Sequence, residues 1–215
     1  MQQSYFITGT DTGVGKTYIA HALVSHFVNK GLKTVGMKPI ASGCDFDKNG
    51  DYINEDVRAL LQVSNVHAPL DLINPYRFKP AIAPHIAAQQ VGVEMRIQVI
   101  ADAYQQLKWL SETVIVEGAG GFLVPINPRE TLADLVITLN IPVILVVGMR
   151  LGCINHALLS VEAIKARGLK LAGWVANQID PTMPKFDDNL NTLKQKIASP
   201  CLSVVLHQKP AHFNL

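Results

Sequence analysis

The stretch GTDTGVGKT, residues 9–17, sets two glycines, a lysine and a hydroxyl at the spacing that holds phosphate. Backbone N–H groups of the turn and of the helix start after it would cradle the anion, Lys16 would neutralise it, and the Thr17 hydroxyl would ligate Mg²⁺. The usual template asks for a glycine six positions before the lysine. Thr10 stands there and Gly9 lies one residue earlier, so a slightly longer turn is expected. Related loops of the form GKGGxGKT carry a signature lysine where this chain has Asp11, which counts against a partition or metal-pump ATPase.

Four further segments carry groups that suit phosphoryl chemistry. GMKPIASG places Lys38 just after an apolar run, where a second cation would stabilise a transferring phosphoryl group or hold an anionic substrate. DYINED supplies Asp51, Glu55 and Asp56 as candidate oxygen ligands for a hard cation, and spacing alone does not choose among them. TVIVEGAGG ends an apolar run in Glu117, an acid that is costly to bury unless it is used. The glycines after it permit a close backbone approach to phosphate or substrate. LGCINHA opens a helix whose free N–H groups suit a carboxylate, although an ordinary helix start reads the same way, and no base stands beside Cys153 to make it a nucleophile. Asn177, closing GWVAN, has a donor and an acceptor for a base edge, or serves as a turn asparagine.

These groups need a frame that brings them together. Short apolar runs at 5–8, 34–37, 113–116, 143–147, 171–176 and 201–205 read as strands. Helical patterns follow at 19–27, 53–61, 95–110, 154–164 and 186–197, with Gly31 and Gly168 as stops. The polar segment 42–56 and the proline-bearing NPYRFKPAIAPH read as loops or broken helix. Strands that are apolar throughout and separated by helices imply a parallel sheet covered on both faces. In such a sheet the loops after Thr8, Met37, Val116, Val147 and Ala176 share one edge, where ligands bind.

Composition narrows the partners. With 215 residues, 48% apolar and 17% charged, the chain suits a single globular domain over residues 1–215. A net charge of +2 without basic runs gives no reason to expect nucleic acid. Three cysteines without C-x-x-C spacing suggest neither disulfides nor zinc, and suit a reducing cytoplasm. No leader pattern opens MQQSYFITG, and the longest apolar run, Ile141 to Met149, is far short of the ~20 residues that span a bilayer, so neither export nor a membrane is expected.

Together, GTDTGVGKT, KPIASG, VEGAGG, PVILVVGMRLGCINHALL and LAGWVAN closely resemble the dethiobiotin synthetase family, and NPYRFKPAIAPHIAA matches its loop and helix before the substrate region. The resemblance runs from Phe6 to about Asn177. It implies an α/β fold, a single P-loop NTPase-like domain with a mostly parallel β-sheet and helices on both faces. It also implies an ATP-dependent carbon–nitrogen ligase that carboxylates 7,8-diaminononanoate with CO2 and closes it to dethiobiotin.

By the same resemblance Gly13, Val14, Gly15, Lys16, Thr17 and Tyr18 bind the nucleotide phosphates, with Glu117, Gly118, Ala119 and Gly120 along the nucleotide side. Thr17, Asp56 and Glu117 hold Mg²⁺, and Lys38 together with Lys16 is catalytic. Thr12, Ser42 and Gly121 touch the substrate; Cys153, Ile154 and Asn155 bind its carboxylate from the neighbouring subunit of a homodimer; Asn177 and Gln178 read the adenine. The competing expectation is a partition or metallochaperone-type ATPase switch. Two departures stand out: Gly13 occupies a position where many members carry glutamate, and the tail VVLHQKPAHFNL lacks the proline–glutamate pattern that frames the base.

Overall fold

A computed structural model describes residues 3–48, 50–213 and 215. Asn49 of the expected loop 42–56 and Asn214 of the tail lie outside the described residues. Six strands form one sheet: β1 (Tyr5–Gly9), β2 (Thr34–Met37), β7 (Thr113–Gly121), β8 (Val143–Met149), β9 (Leu171–Gln178) and β10 (Cys201–Val205). Their order is β10-β9-β8-β1-β7-β2 and every pairing is parallel. The strands alternate their side chains between two cores, as a sheet buried on both faces must. Phe6, Val114, Val116, Val143, Leu145 and Trp174 face one core, and Ile7, Ile115, Ile144, Val146 and Val175 face the other.

One core is closed by α1 (Lys16–Asn29) through Ile19, Leu23, Val24 and Phe27. The opposite core is closed by α5 (Ile97–Leu110), α6 (Leu132–Leu139), α7 (Cys153–Ala166) and α8 (Phe186–Lys196). All six expected strands and all the expected helices are present. The structure adds α6, for which the sequence analysis has no helix; Thr131 and Asp134 form a reciprocal capping box that starts it. Among the described residues, no helix is long and apolar enough to cross a membrane.

The expected loops contain more order than their composition suggests. In 42–56, β4 (Asp45–Phe46) and β5 (Tyr52–Ile53) pair antiparallel ahead of α2 (Glu55–Val63). After the short helix α3 (Leu70–Ile73), β6 (Tyr76–Phe78) pairs in parallel with β3 (Ile40–Ser42). Helix α4 (Pro84–Gln90) then begins on Pro84, where a proline's missing N–H costs nothing. This small layer covers the carboxyl end of β2 and so roofs the site.

Candidate active site

The phosphate loop leaves β1 at the centre of the sheet. Gly9 is fixed by crowding: a β-carbon there would lie 2.6 Å from Val14 Cγ2. Thr10 is not a misfit, because its N–H donates to Val146 O at 3.0 Å and its Oγ1 accepts from Gly148 N at 3.3 Å. The residue thus pins the loop to the end of β8. Gly15 caps α1 in a left-handed conformation with φ +86°, and a β-carbon there would meet Asn177 Nδ2 at 2.2 Å. Gly13 is also left-handed, at φ +73°, but opens onto empty space, so its requirement is conformational rather than steric.

Sheet register brings the charged groups together. Met37 pairs with Val116, so Lys38 emerges beside Glu117. Its backbone is clamped from below: Lys38 N donates to Ile73 O at 2.9 Å, and Asn74 Nδ2 donates to Lys38 O at 2.6 Å. Asn54 caps α2 by accepting from Asp56 N at 2.8 Å, and its amide donates to Ser42 O at 2.8 Å, which aims Asp56 at the same spot. Asp51 and Glu55 are exposed, so of the three acids the structure turns only Asp56 inward.

Lys38 Nζ lies 2.7 Å from Asp56 Oδ2 and 2.6 Å from Glu117 Oε1, and Thr17 Oγ1 donates to the same Glu117 oxygen at 2.7 Å. Lys38 is 5% exposed and Glu117 1%. Burial opposes the charge on Lys38, yet the Glu117 and Asp56 carboxylates more than offset it, and its pKa is raised. For Asp56, burial again opposes ionisation and the Lys38 ammonium overrides it, leaving its pKa lowered. Lys16, whose Nζ donates to Asp11 O at 2.9 Å, is pulled down to about 8 by burial first and by Lys38 second. Two lysines in one cleft are therefore tuned in opposite directions.

The donor set fits Mg²⁺. Glu117 Oε2 is buried without a hydrogen-bond partner, and Thr17, Asp56 and Glu117 offer oxygen only, as a hard cation prefers. Among the described residues, no group of three or more His, Cys, Asp or Glu side chains could hold a metal, so nucleotide phosphate and water would have to complete the shell.

These residues line a cavity of about 680 Å³ with Thr12, Gly13, Gly15, Ser42, Ala119 and Gly120. Ser42 Oγ is buried there without a partner. Ala81, Ile82, Ala83 and Val124 also line the cavity; nothing in their residue types marks them in the sequence, although the first three lie in the proline-bearing segment. A second cavity, about 590 Å³, shares Gly13 and is bounded by Tyr18, Asn177, Gln178 and residues 205–210. Asn177 Nδ2 is committed to Val14 O at 2.8 Å, and Tyr18 Oη donates to Lys209 O at 2.9 Å. The tail, absent from the expected site, thus walls the place where the base was expected.

Several expected site residues stand apart from the cavities. Val14 is 1% exposed, with its side chain in the core, and Gly118 packs on Phe6, so each could serve a ligand only through its backbone. Gly121 pairs with Gly9 in the sheet. Cys153 is 1% exposed with its thiol pushed up by burial, whereas Asn155 faces outward; neither they nor Ile154 line this chain's own cavity.

Solved structures of similar fold include the septum site-determining protein MinD with Mg-ADP from Pyrococcus horikoshii. It has a TM-score of 0.61 at 13% identity, covering 96% of this chain and 82% of that one. The signal recognition particle receptor FtsY from Elizabethkingia anophelis gives 0.54 at 15%, covering 97% and 60%. At such identities the likeness is one of fold. A family model described as an AAA domain matches residues 3–210. In sequence, the chain is 50% identical over 205 residues to the ATP-dependent dethiobiotin synthetase BioD of Nitrosospira multiformis, covering 95% of this chain and 88% of that protein. It is likewise 50% identical to the protein of that name from Aromatoleum aromaticum (95% and 91%) and 44% identical to that from Xylella fastidiosa (96% and 91%). Similarity this high over about 95% of the chain makes it a member of the dethiobiotin synthetase family.

Proposed function

We infer that this chain is an ATP-dependent dethiobiotin synthetase, which carboxylates 7,8-diaminononanoate and closes the ring of dethiobiotin. The observation that carries the residue assignment is the convergence of Lys16, Lys38, Asp56 and Glu117 on one cavity of about 680 Å³, beside a phosphate loop. The chemistry requires it. An amine adds to CO2, losing a proton, to give a carbamate; a carbamate oxygen attacks the γ-phosphorus and ADP leaves. The second amine then attacks the carbonyl carbon and phosphate departs, closing the cyclic urea. A carbamate is a poor acyl donor until its oxygen becomes a phosphate, so the protein's task is to hold two anions together and screen them.

We assign Lys16 to the β- and γ-phosphates and Lys38 to the carbamate and the transferring group, with Thr12 and Ser42 along the substrate. The orphaned Ser42 hydroxyl supports its role. Thr17, Asp56 and Glu117 would hold Mg²⁺, which when bound neutralises phosphate charge. Lys38, paired with Asp56 and Glu117, stands beside those candidate ligands, from where its ammonium would face the carbamate. Backbone N–H groups of residues 13–18 would receive the phosphates, and Asn177, Gln178 and the tail the base.

We further propose a homodimer in which Cys153, Ile154 and Asn155 serve the partner's site. The α7 start does not line its own cavity, and Leu151, beside it, is 89% exposed, with Ile82, Ile86 and Leu123 also exposed. The test is ADP release with Mg-ATP and bicarbonate: release that depends on the diamine is expected. Release independent of it, but stimulated by a macromolecule, would instead favour an ATPase switch.

A further inference from the structure

Asp11 is bonded at three points. Its Oδ1 accepts from Thr12 N at 2.7 Å, its Oδ2 accepts from Arg150 Nη2 at 2.5 Å, and its backbone oxygen accepts from Lys16 Nζ at 2.9 Å. The Thr12 amide above all, and after it Arg150 and His156, hold the Asp11 carboxyl below the ordinary carboxylate range. Arg150 in turn begins the turn into α7, where Cys153 N donates to Arg150 O at 3.0 Å. An unbroken chain of polar contacts therefore runs from the phosphate-loop lysine, through Asp11 and Arg150, to the first turn of α7. The neighbouring Thr10 contacts hold the loop to β8 itself but do not reach the lysine or the helix.

We propose that Arg150 is a positioning residue: by clasping Asp11 it fixes the carbonyl on which Lys16 rests and ties the phosphate loop to the start of α7. The half that concerns α7 rests on the reading of that helix start as a substrate-carboxylate site. The pair is about half exposed, so its own strength is modest; its leverage comes from what it orients. A buried lysine moved from its carbonyl would pay for desolvation without a fixed place in the anion site.

A double-mutant cycle tests this with a fluorescent ATP analogue and Mg²⁺ as the probe, which requires no turnover. Arg150→Ala and Asp11→Asn, the latter keeping the Thr12 contact, should each weaken analogue binding about threefold to fivefold, and the double variant no further than the worse single one. Arg150→Lys, a safeguard against misfolding, should recover part of the loss. The diamine KM should rise in the same variants. Unchanged analogue affinity, or losses that multiply, would overturn the proposal. A loss in Arg150→Ala with Asp11→Asn at wild-type affinity would put Arg150 directly on the anion and overturn it too, and weaker analogue binding with an unchanged diamine KM would overturn the link to α7. If the unmodified chain turned over no diamine, the functional reading would fall, and the analogue cycle would still decide the role of Arg150 in the loop.

Discussion

The two ends of the proposed nucleotide site are built on opposite principles. At the phosphate end, side chains from the end of β2, the middle of β7 and the starts of α1 and α2 meet, with Lys38 and Glu117 almost free of solvent. At the base end, the exposed residues 206–210 are laid against α1 through single hydrogen bonds such as Tyr18 to Lys209 O, between Val205 and Phe213, which are buried in the α1-side core. Buried charges are costly to leave unpaired, so the first end is rigid and unforgiving. At the second, residues 206–210 are exposed and offer backbone groups that almost any sequence supplies, so they should tolerate change.

That contrast orders the expected effects. Lys38→Met should be the most damaging: turnover should fall at least a hundredfold, about 3 kcal/mol of transition-state stabilisation, in a steady-state assay. It should also destabilise the chain by about 3–5 kcal/mol in denaturant melts without Mg²⁺, because the buried Glu117 loses the lysine paired with it and keeps only the Thr17 hydroxyl. Turnover within tenfold of wild type would show that the phosphate end is not organised around this lysine.

Gly15→Ala comes next. It forces a side chain onto a left-handed residue and into Asn177, and should cost about 2 kcal/mol or more of stability and at least tenfold in ATP affinity by calorimetry. Asn177→Ala leaves Val14 O without its partner and should cost about 1–3 kcal/mol; since both changes act on one contact, their combination should cost less than the sum.

Titration separates the two lysines. With its pKa near 8, Lys16 in the free protein loses its charge above that pH, so ATP affinity should fall as pH rises through 8, by up to ~tenfold per unit. Stability should move the opposite way. The unfolded chain holds the Lys16 proton up to about 10.5, so between roughly pH 8 and 10.5 the folded state gains from this group. Lys38, with a raised pKa, contributes stability that is fully present below the unfolded value and lost only above it.

The smallest effect belongs to the base end. Tyr18→Phe removes one exposed hydrogen bond worth about 1 kcal/mol, and should weaken ATP about fivefold while leaving inorganic tripolyphosphate binding unchanged. Equal losses for both would erase the proposed division between the ends.

The same division explains what could be read from the chain before its structure. Lys16 opens α1, Lys38 follows β2 and Glu117 closes the apolar run of β7 ahead of its glycines, positions where residue type and hydrophobic pattern announce a site together. Asp56 was not separable from Asp51 and Glu55 by spacing, because the choice is made by Asn54, which caps α2 and grips the Ser42 carbonyl. Helix α6 was missed because eight largely apolar residues show no clear period, although Thr131 and Asp134 offered a capping signal. Strands β3 and β6 are three residues each and pair across a long intervening segment, so no local turn marks them. The tail's part in the base cavity was invisible for another reason: residues 206–210 act there through main chain, and the tail lacks the proline–glutamate pattern that would mark it.

Carbon tracing tests the central claim most directly. Incubation with ¹³C-bicarbonate, 7,8-diaminononanoate and Mg-ATP, followed by mass spectrometry, should yield a cyclic urea carrying one heavy carbon per ADP formed, and essentially none with Lys38→Met. ADP formed without labelled urea would contradict the account.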